Sequence, residues 1–286
     1  MSDNERIVVV TGASRGAGKG IALALGTPGS TVYVTGRTRN DGDAPLPGSV
    51  GRTAEEINER GGRGIAVHVD HADDSQVEAL FEQIRTEHGR VDLLVNNAYM
   101  IHDDLTTPGP FWEKPLDMLQ MMDVGLRSSY VASWYAAPLL VNSERGLVVN
   151  TSSAGANAYM HGPVYGMVKA GVDKMAHDMA VDFKPHGVAA MSVWMGLLRT
   201  ERTAHIFESD DERYAGAADG SETPEFVGRV IDGLWRADDL MERSGTVVIS
   251  AEVGAELGIT DIDGRTPVGP RAFLGGPFEY SSAVVQ

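Results

Sequence analysis

The chain has 286 residues, 42% hydrophobic and 22% charged, a balance that permits a large buried core and excludes disorder, collagen or coiled coil as its main organisation. A net charge of −16 argues against an electrostatic grip on nucleic acid or anionic lipid, although a local basic spot can still hold one small anion. With no cysteine there is no disulfide, thiolate nucleophile or Cys-based metal site, and a cytoplasmic protein is expected.

The polar start runs directly into Ile7–Val10 with no signal-peptide pattern, and that run predicts a first strand. The turn Thr11–Gly18 and a helix over Gly18–Leu25 follow. Thr31–Thr35 predicts the second strand; Asn40–Gly51 is irregular and rich in Gly, Pro and Asp, and a helix is expected over Ala54–Arg60. Ile65–Val69 and Val91–Val95 predict strands on either side of a helix over Ser75–His88. A single long helix is expected over Leu116–Val141. Its most apolar part, Tyr130–Val141, is too short to cross a bilayer, so no membrane partner is expected.

Leu147–Asn150, a helix over Val164–Pro185, Val188–Val193, a helix over Pro224–Arg236 and Thr246–Ile249 complete the pattern. The polar stretch Glu201–Thr223, carrying Ile206, Phe207 and Tyr214, suits a surface loop or a mobile segment near a site; the tail from 251 to 286 reads as irregular. Seven aliphatic or β-branched runs alternating with helices predict one α/β domain over 1–286. Its fold is expected to be a Rossmann type, a doubly wound seven-stranded parallel sheet with helices on both faces.

Thr11-Gly12-Ala13-Ser14-Arg15-Gly16-Ala17-Gly18 follows a strand and opens a helix, with glycines where a tight turn and close backbone approach to a pyrophosphate need them. Gly18-Lys19 superficially suggests a P-loop, but Ala13 and Gly20 stand where that motif requires Gly and Ser/Thr. At the end of the second strand, where NAD binders carry an acid, the chain has Gly36-Arg37-Thr38-Arg39. Arg37, with Arg15 beside it, matches a 2′-phosphate, so NADP(H) is expected over NAD(H); the alternative is a pair of solvated arginines.

Tyr165 and Lys169, spaced i, i+4 in a helical stretch, stack a phenol and an ammonium on one face. A lysine charge beside a tyrosine favours phenolate and moves its pKa toward a range useful for proton transfer. His68 and His71 lie three apart on a strand and face opposite ways, so no metal site is expected. His102-Asp103-Asp104 reads as a solvated acidic loop bordering the substrate at most. Tyr99, Met100, Ile101, Met160, Trp194, Met195 and Leu197 sit near strand ends and suggest an apolar pocket, or plain core.

Together these motifs resemble the short-chain dehydrogenase/reductase family: Thr11–Gly18 for its glycine motif, Asn96-Asn97-Ala98 for most of its Asn-Asn-Ala-Gly signature, and Ser152 or Ser153 ahead of Tyr165 and Lys169. Asn-Asn-Ala-Tyr, Val-Gly-Leu-Arg and the Leu46-Pro47-Gly48 insertion resemble its dehydrogenase/reductase member-1-like subgroup. The resemblance implies that Tyr165 is general acid/base, that Lys169 tunes it and holds the nicotinamide ribose, and that a serine, Ser153 in preference to Ser152, orients the substrate oxygen. It also implies cofactor contacts from Gly12, Ser14, Arg15, Gly16, Ala17, Gly18, Arg37, Asp70, Asn97, Ala98, Tyr165, Lys169 and Thr200, and a homo-oligomer, dimer or tetramer. Three positions depart from the pattern: Tyr99 for glycine, Met195 for proline, and Gly125 for the tetrad asparagine. The activity implied is NADP(H)-dependent interconversion of a ketone or aldehyde and an alcohol. A cofactor-binding sensor with little turnover, or reduction of an activated C=C, are the alternatives.

Overall fold

Strand β1 (Arg6–Val10) is buried along its whole length because its period of two puts Val8 and Val10 in one apolar layer and Ile7 and Val9 in another. The computed structural model, which describes residues 6–208 and 220–285, sets it within β2 (Ser30–Gly36), β3 (Arg63–His68), β4 (Leu93–Asn96), β5 (Leu147–Ser152), β6 (Ala189–Trp194) and β7 (Val247–Ile249). The seven strands are all parallel, in the order β3-β2-β1-β4-β5-β6-β7. They form a single Rossmann-like domain.

Helices α1 (Gly16–Leu25), α2 (Val50–Glu59) and α7 (Pro224–Arg236) cover the Val8 layer, where Ile21, Leu25, Ile57, Phe226 and Val230 are fully buried. Helices α3 (Asp74–Glu87), α4 (Ser128–Leu140) and α5 (Pro163–Phe183) cover the Ile7 layer through Leu80, Ile84, Leu140 and Phe183. Each such aliphatic or aromatic side chain contributes about 1.5–3 kcal/mol by leaving water. The chain leaves β1 toward β2 and β3, and leaves β4 in the opposite direction. The carboxyl ends of β1 and β4 therefore flank a topological switch point, where open α/β sheets leave a crevice.

Several expectations need correction. The helix expected over Leu116–Val141 is broken: a 3-10 turn at Leu116–Leu119 is followed by a widened turn at Met122–Arg127, where Val124 and Gly125 leave helical geometry, and only then by α4. The tail from 251 is not wholly irregular, for it contains α8 (Ser250–Glu256) and α9 (Arg271–Leu274). Within the segment 197–223, α6 (Ala204–Phe207) and a bridge between Leu198 and Glu222 are formed; residues 209–219, Tyr214 among them, lie outside the described residues. Edge strand β3 is only partly buried, because β2 alone pairs with it, although Ile65 and Val67 still pack against the Ile7 layer.

Candidate active site

The glycine turn is held shut by the end of β4. Thr11 Oγ1 accepts the backbone N–H groups of Asn97 and Ala98, both at 2.9 Å, and the Asn97 side-chain amide donates to the carbonyls of Thr11 (2.9 Å) and Gly12 (3.1 Å). Gly12 adopts φ +66°, and a Cβ there would lie 2.7 Å from Ala98 Cα; at Gly18 it would lie 2.3 Å from the Gly12 carbonyl oxygen. Only glycine permits this packing. Asn97 and Ala98 thus shape the cradle, and the Asn97 amide is spent on backbone. At the start of α1, the Gly16 N–H donates to Glu201 Oε2 at 3.0 Å, so an anion already stands where a phosphate would. Thr200 approaches the same turn, its Cγ2 3.7 Å from the place a Gly16 Cβ would take.

Arg15 spends its Nε and Nη2 donors on the loop beside the turn. Its guanidinium donates to the carbonyls of Leu46 (3.1 Å), Pro47 (3.0 Å) and Gly48 (2.9 Å) and to Thr38 Oγ1 (3.1 Å), which folds the 40–48 loop onto the turn. Arg37 is exposed at the end of β2, Ser14 is buried, and Ala17 is half-buried in the first turn of α1. Asp70, just past β3, accepts the Ala72 N–H at 3.0 Å with one carboxylate oxygen. His71 is buried with Nε2 2.8 Å from Thr35 Oγ1, and burial lowers it to about 4, so it is neutral at pH 7. Among the described residues no group of three or more metal-ligating side chains is assembled.

Helix α5 starts at Pro163, a residue suited to a first turn, and its 3.6 period aligns Tyr165, Lys169 and Asp173 on one face. The Ser153 hydroxyl lies 2.8 Å from the Tyr165 hydroxyl. Ser152 points the other way and donates to the Lys169 carbonyl at 3.3 Å, fully buried. The geometry therefore picks out Ser153. Lys169 Nζ donates to the Thr151 carbonyl at 3.3 Å and stands 5.7 Å from the Tyr165 ring centre.

Burial lowers Lys169 to about 8, against the pull of Asp173. Burial also raises Tyr165 above its ordinary value, opposed by the Ser153 hydrogen bond. The expected lowering of Tyr165 by Lys169 is not met, since burial of the phenolate dominates.

Four side chains around this centre escaped the sequence reading. Asp173 is buried, accepts the Trp194 indole N–H at 2.7 Å and is raised to about 6 by burial; its i+4 spacing from Lys169 was the available signal. Trp194, taken as a pocket-lining candidate, is fully buried beneath the site. Glu222 accepts the Ser250 hydroxyl at 2.7 and 2.9 Å and the Gly196 N–H, and burial raises it to about 7. Its backbone also pairs with Leu197 and Arg199, fixing the chain that leaves β6. The His161 ring packs edge-on against Tyr165 at 5.1 Å, and Glu201 reaches Gly16; neither carries a motif. Tyr99 and Met100 pack with Leu105, Met118, Met121, Val164 and Tyr165 on the other side, while Ile101 and Leu197 are exposed. Met160 packs instead with Ala154, Trp194 and Ile249, and Met195 against the core. His102 is tied into its own turn, accepting the Asp104 N–H and lying 3.2 Å from Asp117.

A parallel sheet with a glycine turn at its switch point and a Ser–Tyr–Lys cluster beside it defines a dinucleotide-dependent oxidoreductase, and the family model for short chain dehydrogenase matches residues 6–211. The chain belongs to the short-chain dehydrogenase/reductase family and is an oxidoreductase of that family. Its similarity is to a particular subgroup. It is 37% identical to Dehydrogenase/reductase SDR family member 1 of Mus musculus over 271 residues, covering 91% of this chain and 84% of the relative. It is likewise 37% identical to the Homo sapiens protein of that name over 273 residues, covering 92% and 85%. A crystal structure from Xanthomonas campestris, assigned to a dehydrogenase, superposes with a TM-score of 0.77 at 25% identity, covering 93% of this chain and 94% of the other.

Proposed function

We propose that the protein interconverts a carbonyl and an alcohol with NADP(H), Tyr165 serving as general acid/base. The observation that carries this reading is the 2.8 Å contact between the Ser153 and Tyr165 hydroxyls, with Lys169 one turn along the same helix face. The cradle fits a dinucleotide: the glycine turn leaves no room for side chains, and a carboxylate occupies the α1 N-terminus as a stand-in anion. The dinucleotide, when bound, supplies or takes up the hydride.

In the direction of reduction, a substrate carbonyl oxygen accepts hydrogen bonds from the Ser153 and Tyr165 hydroxyls. Burial keeps Tyr165 protonated at neutral pH, so it holds the proton that the developing alkoxide needs. Lys169 then places positive charge behind the phenolate left on Tyr165 and stabilises it. In the reverse direction the phenolate takes the alcohol proton. Tyr99, Met100 and Val164 beside Tyr165 favour an apolar substrate. Exposed Arg37 would hold a 2′-phosphate, while Arg15 builds the loop beside it. Tyr130 and Trp134 on α4 and Met167 on α5 are exposed apolar side chains that support pairing of these helices in a homo-oligomer.

Absorbance at 340 nm with NADPH and a panel of ketones, aldehydes, quinones and activated alkenes tests the reading. Oxidation of NADPH by a carbonyl, lost by a factor of about 100 or more in Tyr165→Phe, is expected. NADPH binding without turnover, unchanged by that substitution, overturns it in favour of a sensor, and reduction confined to alkenes overturns the carbonyl assignment.

A further inference from the structure

Gly125 and Tyr99 are built around one another. A Cβ at position 125 would lie 2.6 Å from Tyr99 Cδ2 and 2.8 Å from Cε2, distances at which one of the two must move. The Tyr99 ring therefore fills the space into which any side chain at 125 would project. The backbone beside the ring is anchored: the Met100 N–H donates to the Val124 carbonyl at 2.9 Å, tying the segment after β4 to the break before α4. Gly125 in turn gives its N–H to Ser128 Oγ at 3.0 Å and accepts from Ser129 Oγ at 2.6 Å, so its carbonyl already has a donor.

Lys169 lies over the face of the same ring. Its Nζ is 4.6 Å from the Tyr99 ring centre, nearer than the 5.7 Å to Tyr165, and the two tyrosine rings meet edge to face at 6.1 Å. The ammonium is enclosed by protein and donates to one backbone carbonyl, that of Thr151. An ammonium so enclosed, with donors to spare, is stabilised by an aromatic face at this distance.

We propose that Tyr99 is the positioning residue for Lys169: its ring replaces a side chain at position 125 and holds the ammonium on its π face, behind Tyr165. Tyr99 and Gly125 then form a single device, in which the small residue exists to admit the large one. The inference rests on Lys169 serving Tyr165, and it concerns a property of the ligand-free chain that is measurable without turnover. The charged or titratable groups facing Lys169 are Tyr165 and Asp173 from its own helix and Tyr99 from the segment after β4; β5 contributes only the Thr151 carbonyl.

The chain has five lysines, so a ¹⁵N side-chain NMR titration of the ligand-free protein, assigned by Lys169→Arg, resolves the Lys169 midpoint. A π face favours the charged form. Tyr99→Leu is therefore expected to lower that midpoint by about one pH unit, whereas Tyr99→Phe, which keeps the ring, leaves it in place. In turnover, Tyr99→Leu should reduce kcat about tenfold with a smaller change in KM for the dinucleotide and should displace the pH limb assigned to Lys169. The pair Tyr99→Gly with Gly125→Asn should recover kcat relative to Tyr99→Gly alone. A folded Tyr99→Leu protein whose Lys169 titrates like the wild type overturns the proposal, as does a Tyr99→Phe protein shifted as far as Tyr99→Leu. If no variant, nor the wild type, turns over any carbonyl while the Lys169 midpoint still follows the ring, the proposed reaction fails and the role of Tyr99 stands.

Discussion

Glu201 Oε2 accepts the Gly16 N–H at 3.0 Å, which places a carboxylate from the chain after β6 on the positive end of α1. A dinucleotide pyrophosphate and this carboxylate want the same donor and repel one another, so binding must first displace Glu201. Glu201→Gln removes the charge and keeps the length. It should bind NADPH about three- to tenfold more tightly in a calorimetric or fluorescence titration. Affinity equal to or weaker than wild type would show that Glu201 does not compete.

The cofactor preference is expected to rest mainly on Arg37, because Arg15 spends its Nε and Nη2 donors on Leu46, Pro47, Gly48 and Thr38. Arg37→Asp should weaken NADPH binding by about tenfold or more while leaving NADH within about threefold. Arg15→Ala should instead lower stability by loosening the 40–48 loop and weaken both dinucleotides together. Equal affinities for NADPH and NADH in the wild type would remove the argument.

Glu222 makes a prediction about stability and pH. Unfolded, its carboxyl ionises near 4.5; folded, burial holds it to about 7. Between those values the native state keeps a proton that the unfolded state has lost, so stability falls as pH rises through this window and stays low above it. The full effect is on the order of 3 kcal/mol. His71 acts in the opposite sense: lowered to about 4, it leaves the unfolded chain binding more protons, and stability rises with pH up to about 6.5. Denaturant melts of wild type and Glu222→Gln at pH 5 and pH 8 cancel the His71 contribution. The variant should gain stability relative to wild type on going to pH 8, and a constant difference would show that Glu222 ionises normally in the fold.

The seven parallel strands, the glycine turn and the Tyr165/Lys169 pair were legible because each follows from local rules: unbroken apolar runs make buried parallel strands, and glycine spacing and i, i+4 spacing specify a turn and a helix face. The break at Gly125 was not legible as a break. Gly125 there lies against the Tyr99 ring arriving from the end of β4, a long-range contact that local periodicity does not carry. Glu222 and Glu201 were invisible for a similar reason. A glutamate reads as solvated surface until the fold buries it under Gly196 or carries it to Gly16. The structural part Arg15 plays was hidden for the same reason: the turn it sits in was evident, but the three carbonyls it bonds come from an irregular loop.

Ser152 and Ser153 could not be told apart by spacing, and their geometry now predicts opposite phenotypes. Ser153 is half-buried with its hydroxyl 2.8 Å from that of Tyr165, whereas Ser152 is sealed in the core and donates to the Lys169 carbonyl. Removing the Ser153 hydroxyl deletes a donor aimed at the developing alkoxide, so Ser153→Ala should lower kcat about 100-fold with little change in melting temperature. Removing the Ser152 hydroxyl frees a backbone carbonyl that α5 already bonds, at a cost of about 1 kcal/mol in stability. Ser152→Ala should keep kcat within about threefold of wild type once folded. Steady-state kinetics beside thermal melts for both variants decides the matter; a loss of kcat in Ser152→Ala matching that in Ser153→Ala would mean that the hydroxyls act through packing of α5 rather than on the substrate oxygen.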